Sequence, residues 1–444
     1  MKKILAAIIA AACVLSLAGC SGNTTSSSTA SESDSSADTT VSTENTAPES
    51  TEDTSAEDNT SSQPEEVPYI LGGELTPTMI ENSVYNEGNL VRLANVIKKM
   101  QAGEEVTVAY LGGSITQGSS AGDSLCYARL TTNWLEEHFP SAKINYVRAG
   151  IGATGSYIGV HRADRDVLCH NPDLVFIDFS VNDTTERTAT NKAAYESLLR
   201  KLWKYESSPA IITIAMTQED GTSFIDYHGE IVKRYDIPMI NYRKVILDII
   251  DKGYIQWTDI SDDNIHPNVP GHALLTQLLT NFIQMTENKL DTITGAETDF
   301  DSVELGENGD KYENASMLTS ENAQPVSLGA FELREALFGN VSFPWIAKTK
   351  DGSFGDNSAL VFEVEAKNIG ILYGKLTKNF TKAEIYVDGT LAATIDADFT
   401  GGWGNYTEYA DIISFDETGK HTVEIKPVDT DKTAAFYING LCIS

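Results

Sequence analysis

Apolar positions between residues 89 and 291 follow two periods in turn. Leu90, Leu93, Ala94, Ile97 and Met100 recur at helical spacing, and Gly103 ends the pattern, which predicts an amphipathic helix. Short β-rich apolar runs follow at 106–111, 144–147, 174–179, 211–216 and 239–241. Amphipathic stretches at 127–138, 193–205 and 223–235 lie between them, and 274–285 closes the series. Continuous apolar runs, rather than strict alternation, suit a parallel sheet covered on both faces. Strands alternating with helices at this spacing read as βαβ units. The expectation is a three-layer α/β/α domain over residues 68–298.

Past residue 299 the helical period fades. Alternating or aromatic-rich segments appear at 359–365, 383–387, 422–425 and 435–438. The pairs Asp388-Gly389, Thr418-Gly419 and Asn439-Gly440 read as turns between them. Residues 299–444 are therefore expected to form an all-β sandwich accessory domain.

The amino-terminal part has another texture. Lys2 and Lys3 precede an apolar run at 4–17, too short for a comfortable membrane span. It ends in Leu17-Ala18-Gly19-Cys20, which resembles a bacterial lipobox. The resemblance implies a signal peptide over 1–20, acylation at Cys20 and a chain anchored by lipid on the outer face of a bacterial cell membrane. Residues 21–67 are Ser, Thr, Glu, Asp and Ala with almost no large apolar side chain, so burial cannot offset ordering entropy. They read as a disordered tether.

The net charge of −32 argues against nucleic-acid binding, which needs a basic footprint, and against holding anionic lipid by charge. No Lys or Arg occurs from residue 21 to residue 91, so much of the acidity belongs to the tether rather than to a binding face. Cys126, Cys169 and Cys442 remain in the folded regions. Their odd number and apolar surroundings suit buried thiols rather than a disulfide framework.

The first strand runs into Gly112-Gly113-Ser114-Ile115-Thr116. Glycines at the carboxyl end of a parallel strand allow a sharp turn at the edge where such sheets bind ligands. Ser114 is thus placed as a nucleophile, against the alternative of an incidental Ser on a plain glycine turn. Phosphate binding is discarded because Ser119 stands where a P-loop needs Lys. Thr116 stands where an α/β-hydrolase elbow needs Gly. A Ser hydroxyl needs a base, and the segment Asp262-Asp263-Asn264-Ile265-His266-Pro267 after the last strand offers one. Pro267 suits the first position of the next helix, His266 lies on the loop before it, and Asp263 is spaced to orient the imidazole. Of the other histidines, His161 and His170 read as surface or packing residues and His272 as supporting or structural. His138, His228 and His421 have no acid at suggestive spacing. Small residues at Gly150-Ile151-Gly152-Ala153 and the amide of Asn182 lie at two further strand ends, where donors to an oxyanion would be needed. An Asx-turn is the plain alternative for Asn182, and Asp183 is read as a cap for the following helix.

Taken in order, the Gly-x-Ser-x-Thr turn, the Gly-rich turn, the Asn182-Asp183 pair and the Asp263-x-x-His266 loop resemble the SGNH/GDSL hydrolases over roughly 106–285. The resemblance implies a flavodoxin-like sheet and a Ser–His–Asp esterase. It implies Ser114 as nucleophile, His266 as base, Asp263 as orienter, and an oxyanion hole from the Ser114 N–H, the Asn182 amide and a backbone N–H at Gly152 or Ala153. No metal site is evident, since the sequence has no His-Glu-x-x-His, no paired Cys and no dense acidic loop of calcium type, and no cofactor is expected. Three positions depart from the family: Gly113 where Asp is usual, Ser180 where Gly is frequent, and Asn264 where Gly is common. The expected substrates are small acyl, chiefly acetyl, esters on a polysaccharide or oligosaccharide. Trp403 and Tyr406, on or beside the Gly-rich loop, and Trp345 are candidates for stacking on sugar. A lipid esterase or lysophospholipase is the alternative enzyme, and a non-catalytic carbohydrate-binding surface lipoprotein the alternative outside enzymes.

Overall fold

A computed structural model describes residues 68–444 apart from 337, 339 and 340. The signal segment, Cys20 and the tether 21–67 lie outside the described residues.

The first layer system is a six-stranded sheet of β1 (Val84–Asn86), β2 (Glu105–Gly112), β3 (Lys143–Gly150), β4 (Leu174–Asp178), β5 (Ala210–Ile214) and β6 (Met239–Ile240). Its spatial order is β1-β6-β5-β4-β2-β3. The strands from β2 to β6 are parallel, and β1 adds an antiparallel edge on β6. Numbered by sequence, the five parallel strands stand in the order 2-1-3-4-5, the flavodoxin-like arrangement with its ligand crevice at the first and third strands. Here those are β2 and β4.

Side-chain alternation splits each strand between two cores. Val108 and Tyr110 of β2 join Phe176 in one core, with residues of α2 (Val91–Gln101), α4 (Tyr127–His138), α8 (Tyr242–Asp251) and α10 (Val269–Glu287). Ala109 and Leu111 enter the other, with α5 (Ser156–Asp166), α6 (Thr188–Trp203) and α7 (Ile225–Arg234). Three short helices complete this part: α1 (Pro77–Asn82), α3 (Ser114–Gln117) and α9 (Trp257–Ile260). Helix α10 starts later than the sequence suggests: Asn268 caps it, its side chain accepting the Gly271 N–H, and Pro270 lies in the first turn. Pro267 instead bridges to Ser261.

The carboxyl-terminal part is all β. Its strands are β7 (Ser316–Leu318), β8 (Phe331–Leu333), β9 (Trp345–Thr349), β10 (Leu360–Lys375), β11 (Lys382–Val387), β12 (Thr390–Asp396), β13 (Tyr406–Pro427) and β14 (Ala434–Ile443). They form one antiparallel hydrogen-bonded path, β12-β11-β13-β10-β14-β9-β8, with β7 also on β14. Inward residues of β8 to β14 share a single core. Only one of the three expected turns is a hairpin: Asp388 and Gly389, with φ of 51° and 74°, join β11 to β12, as a tight hairpin turn requires. Thr418-Gly419 lies inside β13, where Ala366 faces Gly419 but Asn368 faces Ser414, so the residues between bulge out of the ladder. Asn439-Gly440 lies inside β14. A Cβ at Gly440 would stand 2.4 Å from the Leu318 carbonyl oxygen, so the glycine serves close strand approach rather than a turn.

The two parts share a core. Met317, Leu372, Tyr409 and Cys442 pack with the α5–α7 side of the first sheet. Tyr409 stacks on Tyr157 at 4.0 Å and its hydroxyl donates to Asn191 Oδ1, while Arg187 pairs with Glu408 at 2.8 Å. Among the described residues, Cys126, Cys169 and Cys442 form no disulfide; Cys126 and Cys442 are buried and Cys169 is half-buried. Trp345 is 1% exposed, edge-on to Phe362 in the β core, so it is a packing residue and not a sugar platform.

Candidate active site

Strand β2 ends at Gly112, and the chain turns through Gly113 into the single turn of α3, whose first residue is Ser114. The loop between α9 and α10 returns to the same sheet edge. There the Ser114 hydroxyl lies 2.8 Å from His266 Nε2, and His266 Nδ1 lies 2.8 Å from Asp263 Oδ2. The second Asp263 oxygen accepts the N–H groups of Ile265 and His266 at 2.7 and 2.6 Å. Partial burial pushes the Asp263 carboxyl up, but the hydrogen bonds from His266 and Ile265 outweigh it and hold the group below the usual carboxylate range. An ionised Asp263 fixes the proton on Nδ1 and leaves Nε2 free to accept from Ser114. Trp257 Nε1 donates to the Asp263 carbonyl at 2.6 Å, and Ser261 Oγ lies against the Asp263 and His266 carbonyls, so the loop is held by its own neighbours.

The Gly-rich turn after β3 and Asn182 line the same cleft as Ser114. The Ser114 N–H belongs to the first turn of α3, where helical N–H groups lack an intrahelical acceptor. The Asn182 amide lies directly over Gly113: a Cβ there would stand 2.1 Å from Asn182 Oδ1. The departure at Gly113 is thereby explained, since any side chain would displace the amide. The departure at Ser180 has its own role, as Ser180 Oγ accepts the Met216 N–H and ties β4 to the end of β5. The carbonyl of Asn264 accepts the Glu219 N–H.

Ala153 adopts φ of 57°, so the second donor turn does use the left-handed region, strained for a residue with a Cβ. The Gly152 N–H donates to Gln117 Oε1 at 2.9 Å. Gln117 was not legible as a site residue in the sequence, because its side chain reaches the turn only through the fold of α3.

Asp183 does not cap α6 as its position suggests. Its carboxylate accepts the Ser156 N–H at the start of α5 and pairs with His228 Nε2 at 2.9 Å. His138 and His421 likewise meet acids distant in sequence, Glu287 and Asp388. His161 is buried against Tyr157, and His170 is exposed. Burial pushes His272 down to about 4, and its Nδ1 accepts the Tyr127 N–H, a structural role.

Ser114, Gly152, Ala153, Asn182, Asp263 and His266 line one cleft of about 610 Å³. Its far wall comes from the β domain: Trp403, Asn405, Tyr406 and Thr407. Trp403 is 71% exposed, with its ring 5.2 Å from that of Tyr406 and Phe399 edge-on to both. The exposed indole, stacked on Tyr406, stands in the cleft wall.

The GDSL-like lipase/acylhydrolase family model matches residues 110–274, the span that carries Ser114, Asn182, Asp263 and His266. A two-domain esterase active on acetylated mannans is 31% identical, with a TM-score of 0.73 over 82% of this chain and 98% of its own. The same esterase co-crystallised with mannopentaose gives a TM-score of 0.72 at 31% identity, over 82% of this chain and 97% of its own. No curated protein matches the chain. The likeness to that esterase runs through both parts of the fold, and the chain belongs to the GDSL-like lipase/acylhydrolase family and is an ester hydrolase.

Proposed function

We propose that this esterase removes small acyl groups, chiefly acetyl, from carbohydrate, with Ser114 as nucleophile. The observation that carries the reading is the Asp263–His266–Ser114 hydrogen-bond chain opening into a cleft walled by an exposed aromatic loop. In the proposed reaction His266 Nε2 takes the Ser114 proton as Oγ bonds to the acyl carbon. The carbonyl electrons move onto its oxygen, which the Ser114 N–H and the Asn182 amide stabilise with the Ala153 N–H as third donor, the Gly152 N–H being held by Gln117 Oε1. On collapse His266 returns the proton to the departing sugar oxygen, leaving acyl-Ser114. Water, deprotonated by His266, then releases the acid and regenerates the serine.

Two features support a small acyl group on a sugar. The apolar lining at Ser114 consists of Ile151, Ala153, Val181 and Ile265, interrupted by Gln117, Ser119, Asn182 and Asn264, which is not the apolar channel that a long lipid chain needs. Trp403 and Tyr406 offer stacking area beside the nucleophile, and the related esterase acts on acetylated mannans.

Rates on p-nitrophenyl esters are expected to fall steeply from acetate to longer acyl chains. Trp403→Ala should raise KM on an acetylated oligosaccharide roughly 3- to 10-fold, as loss of one aromatic contact implies, and leave p-nitrophenyl acetate hydrolysis unchanged. A preference for long acyl chains, or equal losses on both substrates, contradicts the reading.

The oxyanion role is tested at Gly113. Gly113→Ala must push the Asn182 amide aside, so kcat should drop on the order of 10²-fold, as for Asn182→Ala. The double variant should be no worse than either single one, because both remove the same donor. Full activity in folded Gly113→Ala, checked by circular dichroism, removes Asn182 from the mechanism.

A further inference from the structure

Behind the Ser114 turn lies an acid that the proposed mechanism does not use. Asp178 ends β4, pairs in register with Gly112, and is 1% exposed. It touches the turn from behind. Its carbonyl accepts the Gly113 N–H at 3.3 Å, and its carboxyl lies close enough to the hydroxyl of Thr116, two residues after Ser114 in α3, for that hydroxyl to lower the acid. The Thr116 hydroxyl in turn lies 2.8 Å from the hydroxyl of Tyr127. The carboxyl oxygen Oδ1 is buried with no hydrogen-bond partner among the described residues.

We propose that Asp178 is a positioning residue for the Ser114 turn that works in its protonated form, and that its ionisation impairs the turn and shapes the alkaline side of the activity profile. The inference rests on the reading of Ser114 as nucleophile.

An ionised carboxylate that is buried needs donors on both oxygens, and here one oxygen has none. Protonated, the acid donates to Thr116, whose own hydrogen passes to Tyr127. Ionised, it requires Thr116 to donate back, and Tyr127 must turn to donate to Thr116, so the relay under the nucleophile reverses. It also places a negative charge behind the point where the oxyanion forms, against the field the donors supply.

The surrounding charges favour the neutral form. Asp183, from the loop after β4, raises Asp178 further. Tyr127 from α4 and Tyr195 from α6 face it, and both phenols are pushed up, chiefly by burial, with Asp178 adding to the rise. At the same strand ends, Arg162 of α5 is committed to Asp166 and to the Gly112 and Ala149 carbonyls. His272 of α10 is held neutral by burial, and His266 is engaged by Asp263 and Ser114. Burial, with Asp183, pushes Asp178 up to about 7 against the single lowering hydrogen bond from Thr116.

The test is kcat from about pH 5 to about pH 9 for wild type, Asp178→Asn and Thr116→Val, with folding followed by circular dichroism. Wild-type kcat should fall on the order of 10-fold on the alkaline side as the buried acid ionises. Asp178→Asn keeps a neutral donor to Thr116 at every pH, so it should match wild type near about pH 6 and lose the alkaline fall. Thr116→Val removes the bond that lowers the acid, so the fall should move to higher pH. A folded Asp178→Asn that is inactive throughout, or that keeps the wild-type fall, overturns the proposal. If Asp178→Asn does not fold, Thr116→Val decides: an unshifted fall overturns it. Failure of the underlying reading shows separately, as activity surviving in Ser114→Ala.

Discussion

Ser114→Ala is expected to lower kcat on the order of 10⁴-fold or more, with KM nearly unchanged, when acetate release is followed under saturating substrate. The substitution removes the hydroxyl that lies 2.8 Å from His266 Nε2. It leaves the imidazole, its acid partner and the aromatic wall of the cleft in place, so binding should survive while acyl transfer does not. The residual rate would report what the oxyanion donors achieve with water alone. Ser114 is small and at the cleft surface, so the melting temperature should move by no more than a few degrees. A comparable residual rate in His266→Ala would show that nucleophile and base act as a unit.

Asp263→Asn is expected to lower kcat on the order of 10³-fold. Its carboxylate sets which imidazole nitrogen carries the proton, and an amide can present a hydrogen where an acceptor is needed. Asp263 also accepts the Ile265 and His266 N–H groups through Oδ1, so an Asn whose oxygen keeps those bonds turns its NH₂ toward Nδ1. The imidazole must then flip its proton to Nε2 and cannot accept from Ser114. The Asp263 side chain is 45% exposed, and solvent access softens the loss relative to a buried acid. Measuring kcat together with the pH profile separates this effect from misfolding: the folded variant should lose rate at every pH, and an unchanged kcat would remove Asp263 from the orienting role.

The sequence carried the scaffold of the site because its signals are local. Continuous apolar runs mark β2, β4, β5 and β6, which are almost wholly buried, while β3 at the sheet edge is half-buried; small or polar residues follow β2, β3 and β4 where the parallel sheet opens its crevice. Ser114 and Asn182 fall at those ends, and the loop between α9 and α10 returns Asp263 and His266 to the same edge. What was not legible depends on contacts between distant segments. Gln117 directly follows the Gly-x-Ser-x-Thr turn, but its bond to Gly152 requires the β3 turn to come alongside α3. Asp178 sat inside an apolar run and read as strand, with nothing local to show that one of its oxygens would be buried without a donor. Asp183 was read as a cap on the next helix, yet its partners come from α5 and α7.

The β domain shows the same limit. Asn439-Gly440 and Thr418-Gly419 look like turns, because glycine at a close strand approach or beside a bulge carries the same letters as glycine in a hairpin. Trp345 and Trp403 are chemically alike in sequence. Only the packing separates a core indole on Phe362 from an exposed one braced by Phe399 and Tyr406. The placement of the aromatic loop also follows from the shared core, in which Tyr157 of α5 stacks on Tyr409 of β13, three residues beyond Tyr406.

The central claim is that Ser114 carries the acyl group. Its most direct test is to treat the protein with a serine-reactive fluorophosphonate, follow loss of esterase activity, and locate the adduct by peptide mass spectrometry. One adduct is expected, on the peptide containing Ser114, formed in proportion to lost activity and much more slowly in His266→Ala. An adduct on another residue that tracks inactivation, or full activity with Ser114 modified, would contradict that claim.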